Sequence, residues 1–177
     1  MLSKIVTTIA LVIALLAPAI SKADALPNAH PTGCVKNILA VWRHKWDYTD
    51  VAKNAAFASD WATCAAALNA KRGADMNSKH YVAATDGAIE VQLRTAYIGE
   101  YVCEWNQTYV YVAEYNDIPS ARKHFWTALD VLQKLVKLAE AYGDTPLGTF
   151  VSHQSFAIAN FAYQASITQS SDAGKLP

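Results

Sequence analysis

The sequence predicts an all-α fold, a bundle of about five helices built from antiparallel α-hairpins and without a sheet. Three observations predict it. Apolar residues recur at steps of four and three over long stretches, the spacing that turns one face of an α-helix inward. The interruptions of that phase fall on residues that start or stop helices, such as Pro119 and Gly143. Charged residues make up only 17% of the chain, which places its body outside the disordered class.

Taken in order, Val35, Ile38, Trp42 and Trp46 outline a short first helix. "DYTD" turns the chain, with Thr49 or Asp50 as the N-cap of the next helix. That helix is alanine-rich and carries Phe57, Trp61, Cys64 and Leu68 inward; "RGADMNS" is expected to stop it at Gly73, with Asn77 or Ser78 capping its successor. Val91, Thr95, Ile98, Val102, Trp105, Tyr109 and Val112 then form one continuous helical stripe. Within it, "YVYVA" has the composition of a strand, but a strand would break the phase entered upstream, so helix is preferred.

The same helical phase reaches from Ser78 to Asn116, about 58 Å of helix. A compact chain of this size is about 38 Å across. A kink or break is therefore expected near Thr85-Asp86-Gly87, an elongated molecule being the alternative. "NDIPS" places Pro119 in the first turn of the following helix, whose stripe is Ala121, Phe125, Ala128, Leu132, Leu135, Ala139 and Tyr142. Gly143 and Thr145-Pro146 end it and begin a last helix, which turns Val151, Gln154, Ile158, Phe161 and Ala165 to the core.

Ahead of the helices stands a basic Lys4, an apolar run from Ile5 to Leu16, and a small-x-small site at Ala23-Asp24-Ala25. This is the pattern of a secretory signal peptide, with a core too short to span a bilayer. The expected organisation is a signal peptide over 1–25, a flexible mature N-terminus over 26–33, a helical domain over 34–168 and a disordered tail over 169–177. The protein is thus expected to be exported, periplasmic or secreted, with no stable membrane insertion after cleavage. Removing Lys4, Lys22 and Asp24 from the 15 basic and 15 acidic side chains leaves a formal charge of −1. So balanced a chain has no bulk attraction for nucleic acid, and none is expected as a partner.

Export makes a disulfide the natural fate of two of the three cysteines. Cys34 and Cys64 fall nearly level if the first two helices fold back about the turn at Tyr48. Cys34–Cys64 is therefore the preferred pair, Cys64–Cys103 the other pairing in view, and Cys103 is otherwise a small buried apolar residue.

One hairpin resembles the tetratricopeptide repeat. Trp105, the "NDIPS" turn, and Ala121, Phe125 and Ala128 occupy the relative places of that repeat's tryptophan, turn and alanine–aromatic–alanine series. Trp61, Tyr81 and Ala84 show the same mutual spacing 44 residues earlier. The sequence departs at Tyr109, where the repeat carries a small residue. The resemblance covers about one repeat unit and implies a helix-stacking scaffold that binds partner peptides, with nothing catalytic.

A second stripe runs beside the apolar one: Glu90, Arg94, Tyr97, Tyr101, Glu104, Thr108, Tyr111 and Tyr115. Tyr97, Tyr101, Tyr111 and Tyr115 around Glu104 could cage an organic cation through their ring faces, with the carboxylate as counter-charge. The competing reading is a helix central to the bundle whose second face simply packs tyrosine rings. The five histidines show no ligand spacing, so a metal site would need assembly across helices, His80 with His124 being the first pair to inspect. No GxSxG, phosphate loop or HExxH is present, so no enzymatic activity and no cofactor are expected. Asn106-Gln107-Thr108 matches a glycosylation acceptor in mid-helix, a setting often left unmodified. The sequence thus points to an exported, non-enzymatic interaction or adaptor protein that binds a protein or peptide partner through an aromatic helix face. The alternative is a small-molecule carrier with a tyrosine-lined cavity.

Overall fold

The computed structural model describes residues 33–77 and 83–165, with side chains described for 33–73 and 89–165. The expected signal peptide over 1–25, nearly all of the expected mature N-terminus over 26–33, the expected tail over 169–177, His30, His80, Tyr81 and the expected cap at Ser78 lie outside the described residues. So does the side chain of Ala84. Five helices and no strand make up what is described: α1 Cys34–Lys45, α2 Val51–Asn77, α3 Ala83–Ala113, α4 Ile118–Tyr142 and α5 Thr145–Gln164. They pack as a bundle. α3 lies between α2 and α4, α5 folds back on α4, and α1 folds back on α2.

The helix ends follow local chemistry. Asp50 caps α2, its Oδ1 accepting the Lys53 N–H at 3.0 Å. Asp117 and Asp144 do the same for α4 and α5, accepting from Ser120 and Leu147. Gly143 closes α4 at φ 64°, a left-handed conformation that glycine adopts without a Cβ penalty. The corner between α1 and α2 is held by Asn54, which is 0% exposed. Its Oδ1 accepts the Trp46 indole N–H at 3.0 Å, and its Nδ2 donates to the carbonyls of Asp47 and Tyr48. Further along the same pair of helices, Cys34 and Cys64 form a disulfide with their Cα atoms 5.8 Å apart. Cys103 is a free, buried thiol, which burial pushes well above the ordinary thiol range.

Two sequence expectations are corrected. α2 runs through Gly73 to Asn77, and α3 is unbroken across Thr85–Gly87. A glycine inside a helix costs about 1 kcal/mol, which flanking helical turns outweigh. Two rods of 27 and 31 residues lie along each other, so the length of α3 needs no break to stay packed.

α3 is buried on nearly all sides from Ile89 to Val110. Its packing against α2 is closest at Gly99, where the Trp61 indole lies directly on the backbone; an added Cβ would sit inside the indole's van der Waals envelope. Trp61 in turn meets Trp42 edge-on, with centroids 6.2 Å apart. On the α4 side, Ala121, Phe125, Ala128, Leu132 and Leu135 are buried as their spacing predicts, and Trp105 packs edge-on against Phe161 of α5.

Candidate functional site: the cleft at the C-terminal end of α3

The second stripe of α3 is shared among three neighbours. Tyr97 is buried, and its hydroxyl accepts a hydrogen bond from Asn69 of α2. Tyr101 is buried, and its hydroxyl donates to Gln154 of α5 at 3.0 Å. Arg94 pairs with Asp144 at 2.6 Å, tying the cap of α5 to α3. Tyr97 and Tyr101 bond to α2 and α5, and only Tyr111 and Tyr115 remain together near the surface.

Those two tyrosines help to frame a cleft of about 620 Å³ with Gln107, His124, the turn residues Thr49 and Asp50, and Val51, Ala52 and Ala55 at the start of α2. Glu104 organises it from behind. Its Oε2 lies 2.7 Å from His124 Nδ1, and both side chains are largely buried. This contact fixes the imidazole in one orientation. The Tyr111 ring lies flat on that imidazole, with centroids 5.4 Å apart and planes 5° from parallel. Tyr115, 61% exposed, leans against Tyr111 at 5.7 Å. Carboxylate, imidazole and two phenol rings thus form a braced aromatic wall.

Gln107 enters the sequence reading only as part of the glycosylation acceptor, and it lies beside the tyrosine stripe, which passes through Thr108 between Glu104 and Tyr111. It is 1% exposed, and neither its Nε2 nor its Oε1 has a hydrogen-bond partner. His124 was in view only as a metal ligand; its pairing with Glu104 crosses two helices and has no local signature. The contribution of α2 comes from a separate hairpin.

Asn106 and Thr108 are buried with Gln107, so the glycosylation acceptor faces the interior of the fold. Among the described residues no three His, Cys, Asp or Glu side chains converge to hold a metal ion. Among the same residues no helix is long and apolar enough to cross a membrane. Trp105, Ala121, Phe125 and Ala128, which carry the repeat resemblance, are all buried. The hairpin they belong to consists of helices of 31 and 25 residues, much longer than a 34-residue two-helix unit accommodates. Compared with known proteins, the chain matches no family model, no curated protein and no solved structure.

Proposed function

We propose that the protein is an exported, non-enzymatic helical module that binds a protein or peptide partner, with the cleft between α2, α3 and α4 as its docking face. The leader pattern over 1–25 supports export to the periplasm or beyond, as does the Cys34–Cys64 bond, since disulfides persist in oxidising compartments. The observation that carries the docking face is the braced wall of Tyr111 and His124, with the exposed Tyr115 ring leaning on it. Aromatic rings offer large amphipathic contact area, and rings already held in place lose little freedom when a partner arrives.

The test is to select peptide ligands from a displayed random library against the oxidised protein and compare affinities across variants. Tyr115→Ala and Tyr111→Ala should each weaken binding about tenfold or more, as truncation of an aromatic hot spot does. Phe156→Ala, on the exposed side of α5, should change it less than twofold. Unchanged affinity in both tyrosine variants, with melting curves like wild type, would move the docking face elsewhere.

A further inference from the structure

We infer that the Cys34–Cys64 disulfide is a thiol-exchange site open on one side, where a low-molecular-mass thiol forms a mixed disulfide with Cys34 and frees α1 from its cross-link to α2. The bond lies in a groove of about 430 Å³ between those helices, walled by Ile38 and Val41 of α1 and by Phe57 and Ala67 of α2. Both cysteines reach the groove, but unequally. Cys34 is partly exposed in the first turn of α1, whereas Cys64 is 3% exposed and belongs to the core.

That inequality sets the direction of exchange. A thiolate attacks one sulfur of a disulfide and expels the other, so access decides which sulfur takes the new bond. The incoming sulfur bonds to Cys34 Sγ and the Sγ–Sγ bond breaks. Its electron pair leaves on Cys64 Sγ, which then takes a proton from solvent. One disulfide replaces another, and nothing is oxidised or reduced overall. Attack on Cys64 would have to come through packed side chains.

Local charge favours the same sulfur. Cys34 is the first residue of α1, where the helix dipole and open N–H groups favour negative charge. Gly33 before it gives no side-chain cap, no acidic residue stands in the first turn, and Lys36 adds a cation there. A thiolate is therefore favoured at that end of the helix. Cys103 does not compete: it is 0% exposed, and burial pushes its thiol well above the ordinary range.

Exchange opens one end of the α1–α2 hairpin and leaves the other closed. The corner stays held by Asn54 through Trp46 and the carbonyls of Asp47 and Tyr48. The disulfide is thus a latch on the first turns of α1, released by a thiol at Cys34.

The experiment incubates the oxidised protein with excess reduced glutathione, quenches in acid, alkylates free thiols after unfolding and maps the products by mass spectrometry. At early times the adduct on Cys34, with Cys64 and Cys103 alkylated, should exceed the adduct on Cys64 by about tenfold or more. In the reduced single variants, Cys34 in Cys64→Ser should react with a disulfide reagent about tenfold faster than Cys64 in Cys34→Ser. Equal adducts on the two cysteines, an excess on Cys64, or equal rates in the two variants would overturn the assignment. So would the absence of any adduct from the folded protein under conditions that modify it in urea.

Discussion

Glu100 should make the protein less stable as pH rises through neutrality. Its carboxyl is only 6% exposed on α3, facing Lys134 and Asp130 of α4 with Glu104 one turn away. Burial pushes its pKa up to about 7; Lys134 opposes the rise, and Glu104 and Asp130 reinforce it. A carboxyl whose folded value exceeds its unfolded value holds its proton more tightly in the native state. The folded protein is therefore favoured below the unfolded value, about 4.5, and loses that advantage as pH climbs through about 7. The full difference corresponds to about 3 kcal/mol, and to about 2 kcal/mol once residual solvent screening is allowed for. Glu100→Gln keeps the shape and removes the charge. Urea melts of both proteins at pH 5 and pH 8 should show the variant gaining about 2 kcal/mol at pH 8 relative to its difference at pH 5. A difference that does not change with pH, or one that grows toward pH 5, would refute the reasoning.

Other perturbations reach different joints of the fold. Gly99→Ala drives a methyl group into the rigid, buried Trp61 ring and should cost about 3 kcal/mol by denaturant melting, at the upper end for overpacking. Asn54→Ala leaves the Trp46 N–H and two turn carbonyls without their partner, and should lower stability by about 2 kcal/mol in the same assay. Replacing Cys34 and Cys64 together by serine opens a cross-link with a sequence separation of 30, and should cost about 3.5 kcal/mol by the chain-entropy account. The double variant should also become insensitive to reductant, whereas wild type loses stability when dithiothreitol is added.

The parts of the fold legible in the sequence are those set by one periodic face and by caps. The α4 stripe from Ala121 to Ala139, the Pro119 start and the Gly143 stop all follow from local spacing and backbone geometry. The α3 pattern was legible only in half. Its apolar stripe predicts one buried face, but α2, α4 and α5 surround it, so Glu90, Gln92, Glu100, Asn106 and Thr108 are buried as well. Nothing in the order of residues marks those polar side chains as interior, because their burial depends on how many neighbours the helix has. The expected break near Gly87 came from assuming a near-spherical shape, and a long partner helix removes that constraint.

The cleft was less legible still. Tyr111 and Tyr115 were visible as a pair, yet what they stand beside depends on His124, twenty residues after Glu104, and on the first turn of α2. Tyr97 and Tyr101 lie on the same sequence stripe and differ only in meeting partners from other helices. Periodicity selects the face of a helix, and tertiary packing decides which part of that face stays open.

The most direct measurement places a photo-activatable benzoylphenylalanine at position 115 in one protein and at position 156 in another, with each expressed in its native setting and irradiated. Both positions carry exposed aromatic rings, at 61% and 77%, so accessibility alone favours position 156. The account predicts a discrete partner adduct from position 115, lost when Tyr111→Ala is added, and none from position 156. An adduct from position 156 alone, or one from position 115 that Tyr111→Ala leaves intact, would contradict it.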